Sequence, residues 1–305
     1  MLQAVATTCY MHELFEQHNP GPGHPERPAR YAAVRAAVAA GDTLTVTAPA
    51  ASREAIERVH SPAYLDLVER ICAEGGGALD ADTVVGTVSC QAAIHAAGGA
   101  VAAVELVAGG AGPAFSCGRP PGHHAESSRA MGFCIINSAA VAAAHARVHL
   151  GMQRVAVLDW DAHHGNGTQA IFYRDPAVLY VSLHQYPFYP GSGAATERGE
   201  GAGMGATLNL PLAAGSSEEE YLALFRDHAL PALRAFEPEL LVVSAGFDAH
   251  RDDPLCGLGL SSAAFGVMAA ELDGIGCGRA FVLEGGYNLL ALEEGMAAVL
   301  AAAKG

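Results

Sequence analysis

Leu158 to Gly167 reads LDWDAHHGNG and directly follows the apolar run Val155, Ala156, Val157. A short apolar run that stops at charged residues has the pattern of a parallel strand buried on both faces and ending at a sheet's carboxyl edge. In open α/β sheets ligands bind at that edge. Here it carries Asp159, Asp161 and His163 within five residues. Alternation along the chain sends Asp161 and His163 to the same side, so both can reach one ion. Carboxylate plus imidazole suits zinc or another borderline divalent metal, whereas calcium and magnesium favour oxygen ligands alone. The competing reading, aspartates capping the next helix, leaves costly buried ionisable groups without a partner.

The 305 residues are 51% hydrophobic, enough for one large core, and no break in composition marks a second unit, so residues 1–305 are expected to form a single domain. A net charge of -15 argues against nucleic acid or an anionic membrane as partner and favours a cationic substrate. The seven cysteines are scattered, odd in number and without a CxxC pair, which fits reduced thiols. The start, MLQAVATTCY, has no basic region or long apolar segment, and no later run of about 18 apolar residues is evident. A soluble, cytoplasmic protein is expected, with the oligomeric state open and a homo-oligomer among the options.

Outward from the central strand, apolar runs predict strands at Gln3 to Thr8, Leu44 to Thr47, Ala114 to Cys117, Val178 to Leu183, Thr207 to Leu210, Leu240 to Ser244 and Ala280 to Leu283. Helices are expected up to about Ala40, after the Ser61 and Pro62 cap, from Val88 to Val107, from Met131 onward, from Asn166, from Glu218 to Phe236, from Ser262 to Gly274 and from Leu289 to Ala302. Gly98 and Gly99 inside one of them point to close packing against a neighbour. The loop His184 to Gly205 is too long for a mere connector and reads as a pocket wall. Strand and helix alternation gives an α/β fold, a single mainly parallel sheet with helices on both faces.

Polar groups recur past the strands: His123 and His124 in RPPGHHAE, Asp248 in SAGFDAHRDDP and Tyr287 in LEGGYN. Asp248 can close a three-ligand set with Asp161 and His163, leaving a fourth position for water as in catalytic zinc sites. The adjacent histidines would activate such a water and later protonate a leaving group. Tyr287, after two glycines, would donate to a developing oxyanion.

The segments GHPERPAR, RPPGHHAE, MGFCIINSA, LDWDAHHGNG, YVSLHQY, SAGFDAHRDDP and LEGGYN, in this order, resemble the zinc-dependent histone deacetylase family, which includes acetylpolyamine amidohydrolases and bacterial deacetylases. The resemblance covers nearly the whole chain. It implies the arginase-deacetylase fold, one zinc on Asp161, His163 and Asp248, and Tyr287 polarising the acyl carbonyl. It also implies a potassium ion near Asp159, Asp161, His163, Ser182 and Leu183, held partly by backbone carbonyls. Asn166, where many members have Asp, together with Trp160 looks like the class II branch. An amide there withdraws a charge that would stabilise imidazolium, so His124 is expected to be neutral and the base, with Asp159 keeping His123 cationic.

Arginase-like ureohydrolases share this fold and use two manganese ions, but the extra acids they need are missing, with Gly165 two past His163 and Gly246 two before Asp248. A non-catalytic sensor of acylated amines is the other alternative. By resemblance, Gly132, Phe133 and Gly286 belong to the substrate tunnel, and Tyr189 faces Phe133 across it. Leu255 stands where polyamine-selective relatives can carry an acidic gatekeeper, so acyl-lysine or a small acylated amine is the expected substrate and acetylpolyamine the alternative. Asp82 is a candidate rim acid. Arg27 and Arg30 are placed either on an inner cavity or at helix ends, and His12, His18 and His24 form a loose set that could hold a second metal.

Overall fold

The computed structural model describes residues 6–303. The strands are β1 (Thr7–Met11), β2 (Thr43–Thr47), β3 (Gly77–Ala78), β4 (Val84–Val85), β5 (Ala114–Ser116), β6 (Val155–Asp159), β7 (Val178–Gln185), β8 (Thr207–Leu212), β9 (Leu240–Ala245) and β10 (Gly278–Leu283). Apart from the antiparallel β3 and β4 ribbon, they form one eight-stranded sheet in the order β2-β1-β5-β10-β9-β6-β7-β8, parallel throughout. The central strands β6, β7 and β9 are buried along their whole length, in keeping with the apolar runs that begin each of them.

One register row explains where the site must lie. It crosses the sheet through Ser116, Val282, Ser244, Asp159, Ser182 and Asn209. Below this row β6 and β9 are wholly apolar; at the row most side chains turn polar. The chain then leaves the sheet from β5, β6, β9 and β10 in loops that carry the candidate residues, as expected for the carboxyl edge of a parallel sheet.

Most sequence-derived elements are present, with four differences. The first strand is Thr7–Met11, and the Gln3 to Val5 part of its expected range lies outside the described residues. Met131 does not begin a helix: Gly132 and Phe133 have φ of 56° and 68°, outside helical geometry, and the helix starts at Ser138 under the Asn137 side chain. The helix from Glu218 to Phe236 widens to a π turn at Phe225–Ala229, just before Pro231, whose missing N–H cannot continue the ladder. Finally, Ser89–Ala108 is long and apolar enough, with mean hydropathy 1.4, to meet the length and composition of a membrane span, contrary to the expectation that no such run exists. Its apolarity is used internally: Ala92, Ala93, Ala96, Ala97, Ala100 and Ala103 are buried.

The expected close packing at Gly98 is present, because a Cβ there would run into the backbone of Pro49, Ala50 and Ala51. Alanine is the better helix former by about 1 kcal/mol. Gly98→Ala should nevertheless destabilise the protein, by about 1 to 3 kcal/mol for an overpacked position, in urea unfolding. An unchanged or raised midpoint would show that the neighbouring loop yields freely.

Candidate active site

Beyond β6 the chain turns so that Asp161 and His163 meet Asp248 from the loop after β9. One ligand atom from each lies within 4.8 Å of the others, and all three residues are buried. His163 Nδ1 is 2.9 Å from Asp248 Oδ2 and 3.3 Å from Asp161 Oδ1. The carboxylates are aimed by backbone donors: Gly285 and His163 N–H groups to Asp161, and Ala162 N–H to Asp248. A Cβ at Gly246 would strike Asp161, and one at Gly285 would strike both carboxylates. Gly246 thus leaves no room for the second acid of a two-metal site. Burial and the neighbouring Asp161 push Asp248 up to about 7. Burial opposes a charge on His163, but hydrogen bonds to Asp161 and Asp248 outweigh it and raise the ring to about 10. Two buried carboxylates and an imidazole whose ligand atoms converge in this way fit a divalent cation, whose binding would displace the proton from the ring.

The rings of His123 and His124 lie in contact, centroids 4.0 Å apart and planes tilted by 44°, yet their surroundings push them in opposite directions. His123 Nδ1 meets Asp159 Oδ2 at 3.0 Å. Burial alone would lower its pKa; the Asp161 and Asp159 charges outweigh it and hold His123 well above the usual value. His124 is held well below it, first by burial and then by the charges on His123 and His163. The directions match the sequence expectation, but the cause differs: burial, with the charges on His123 and His163, keeps His124 neutral, while the hydrogen bond to Asn166 acts in the opposite direction.

The orientation of Asn166 comes from a residue that sequence reading passed over. Its Nδ2 donates to Glu126 Oε1 at 2.9 Å, which leaves Oδ1 to accept from His124 Nδ1 at 2.8 Å. His124 Nε2 is thereby the nitrogen with a free lone pair. Glu126 stood inside RPPGHHAE, but only the fold reveals its contact. Tyr180 was missed in the same way: its hydroxyl donates to Asp159 Oδ2 at 3.0 Å. So was Glu284, which accepts from the backbone N–H groups of Gly122 and His123 and from Ser244.

Tyr287 is set by its backbone and its ring. Its N–H donates to Asp253 Oδ2 at 2.6 Å, and its ring lies 5.0 Å from the Arg30 guanidinium. Burial raises the hydroxyl's pKa well above normal, so it keeps its proton as a donor. Arg30 is buried and bonds the carbonyls of Glu284 and Gly286, whereas Arg27 lies on the surface. Gly286, with φ of 119°, lets the chain turn between these two contacts.

A cavity of about 240 Å³ leads to this cluster, lined by Asp82, His124, Gly132, Phe133, His163, Phe188, Tyr189, Leu255 and Tyr287. Phe133 packs edge-on against Tyr287, and Tyr189 edge-on against His124. Phe188, absent from the sequence-derived wall, stacks on His163 with centroids 5.4 Å apart. Asp82 Oδ1 accepts from the Gly132 N–H at 3.0 Å and so supports the wall it belongs to. Ser182 and Leu183 lie in β7 beside Asp159; the Ser182 hydroxyl meets His184 and the Leu183 carbonyl accepts from Tyr221. His12, His18 and His24 do not gather: they meet His95, Ser89 with Glu26, and the backbone of Glu26 and Asp82, respectively.

The histone deacetylase domain spans residues 24–303. The chain belongs to the histone deacetylase family. It is 45% identical over 249 residues to the histone deacetylase-like amidohydrolase of Pseudomonas aeruginosa, covering 79% of this chain and 66% of that protein. It is 42% identical over 283 residues to a probable deacetylase of Methanothermobacter thermautotrophicus, covering 91% of this chain and 85% of that one. The crystal structure of an acetylpolyamine aminohydrolase from Burkholderia pseudomallei matches with a TM-score of 0.89 at 33% identity, covering 97% of this chain and 98% of that one. The fold is accordingly the arginase-deacetylase fold, and the chain is a hydrolytic deacetylase.

Removing one arm of the buried trio leaves two ligands and an uncompensated charge. Asp248→Ala should therefore lose the tightly held transition metal, as measured by elemental analysis after dialysis against a weak chelator. Full metal content in this variant would exclude Asp248 as a ligand.

Proposed function

We propose that this deacetylase removes acetyl or another short acyl group from the side-chain amine of acyl-lysine or a related acylated amine, in the cytoplasm, with one zinc on Asp161, His163 and Asp248. The observation that carries the reading is the cavity itself, aromatic along its sides, with His124, His163 and Tyr287 all on its wall. Aromatic faces suit a methylene chain and a flat amide. The mixed imidazole and carboxylate donors suit zinc, which when bound supplies a Lewis acid that acidifies water and polarises an acyl carbonyl. Potassium is proposed beside Asp159, Asp161, His163, Ser182 and Leu183. In its support, Asp159, Asp161, Asp248 and Glu284 are all fully buried, a density of negative charge that calls for cations.

The chain's own groups divide the proton work. Neutral His124, its Nδ1 committed to Asn166, accepts a proton from the attacking water at Nε2. His123, kept cationic by Asp161 and Asp159, stabilises the developing negative charge. Tyr287 donates to the carbonyl oxygen as the water oxygen bonds to the acyl carbon. When the C–N bond breaks, His124 returns its proton to the departing amine, and the second water proton, left on the new carboxyl group, passes on to that amine, so the products are a carboxylate and an ammonium. Leu255, half-buried on the cavity wall, presents no charge to a substrate ammonium, which supports acyl-lysine over an acetylpolyamine.

A panel of acetyllysine peptides, acetylputrescine, acetylspermidine and longer acyl amides, assayed with and without zinc, tests the proposal. Turnover of none of them by zinc-loaded protein would instead favour a sensor of acylated amines. A single oxyanion donor is worth about 2.7 to 4 kcal/mol, so Tyr287→Phe should lower kcat roughly a hundredfold to a thousandfold, with little change in KM and metal content intact. Unchanged kcat would reduce the tyrosine to packing. Leu255→Glu should shift the ratio of kcat/KM values toward acetylated polyamines, because a carboxylate there pairs with a secondary ammonium and penalises apolar chains. Equal ratios before and after would remove Leu255 from substrate selection.

A further inference from the structure

Outside the active-site cavity, two adjacent helices bring Glu105, His145 and His149 together. His145 and His149 are four residues apart, the spacing that puts two side chains on one helix face. Their rings stack with centroids 4.6 Å apart and planes 29° from parallel. Glu105, on Ser89–Ala108, places Oε1 at 2.9 Å from His145 Nε2. One ligand atom from each of the three lies within 4.8 Å of the others. Tetrahedral zinc with bonds near 2.0–2.1 Å needs ligand atoms about 3.4 Å apart, so small side-chain rotations close the set. The three also line a cavity of about 330 Å³, which leaves room for a water as fourth ligand.

We propose that Glu105, His145 and His149 form a second divalent-metal site, for zinc or a similar borderline cation, which Arg58 opposes. Two histidines and one carboxylate are the donor types such a cation prefers. Burial favours the neutral ring of His145, the form that binds metal, by lowering its pKa. Arg58 sets the affinity from the other side. Its Nη1 lies 3.2 Å from His145 Nδ1 and its Nη2 bonds Glu54 at 3.0 Å. Donation from Arg58 to Nδ1 keeps the imidazole proton on Nε2, pointing at Glu105. A metal on Nε2 needs that proton on Nδ1, so the guanidinium must turn away. Arg58 and the metal therefore compete for one face of His145. None of these residues lines the active-site cavity, so occupation of this site is independent of the proposed chemistry there.

The test is a titration with Zn2+ of protein already saturated at Asp161, His163 and Asp248, read by calorimetry and by a competing chromophoric chelator. Wild-type protein should take up one further Zn2+ per chain with micromolar Kd. His149→Ala, at an exposed position, should lose that uptake without a change in thermal unfolding of the zinc-free chain. Glu105→Gln should weaken it at least tenfold, and Arg58→Ala should tighten it by about tenfold. Equal uptake by wild type and His149→Ala would overturn the proposal. So would the absence of further uptake by wild type, whatever Arg58→Ala does.

Discussion

Four carboxylates, Asp159, Asp161, Asp248 and Glu284, stand fully buried at the carboxyl edge of one parallel sheet, and the surrounding structure is arranged around the difficulty of keeping them there. An isolated buried charge costs several kcal/mol, so each acid must find donors or cations. Asp161 and Asp248 receive backbone N–H groups and the His163 ring. Asp159 receives His123 and the Tyr180 hydroxyl, and Glu284 receives the chain just before the histidine pair. These contacts tie the loops after β5, β6, β9 and β10 into one unit. Glycine at 246 and 285 is part of the same constraint, since any side chain there would displace a carboxylate.

The same charges differentiate the two histidines. Adjacent in sequence and in ring contact, His123 and His124 share burial but not partners. His123 faces the acids; His124 faces the amide of Asn166 and the positive charges of His123 and His163. One becomes a stable cation and the other a neutral ring with a free nitrogen. The amide that orients His124 is itself oriented by Glu126, so the chain of contacts runs from Glu126 to the His124 ring in three residues.

Behind the site, Arg30 links the carbonyls of Glu284 and Gly286 to the buried Glu26, and Glu26 in turn meets Arg119 and His18. This second layer holds Tyr287 from below while Asp253 holds its backbone from the other side. The tyrosine is thus positioned by groups contributed from three distant parts of the chain. On the outer wall, positive φ at Gly132 and Phe133 breaks what the sequence pattern reads as a helix start and turns this segment into a lining of the cavity.

The sequence by itself determined the alternation of strands and helices and the strand that ends at Asp159, and it singled out Asp161, His163 and Asp248 as a candidate ligand trio, because periodicity and the abrupt change from apolar to charged residues are local properties. It also supplied the histidine pair, Asn166 and Tyr287, through motifs with recognisable spacing. What only the tertiary structure decided are the partners separated by tens of residues: Tyr180 on Asp159, Glu126 on Asn166, Glu284 beneath His123, Asp253 on Tyr287, and Phe188 against His163. Each sat within or beside a segment of evident interest, yet no local pattern distinguishes an acid that orients a neighbour from one that is merely solvated. That distinction depends on burial and on distances across the sheet, which exist only once β5, β6, β7, β9 and β10 are laid side by side.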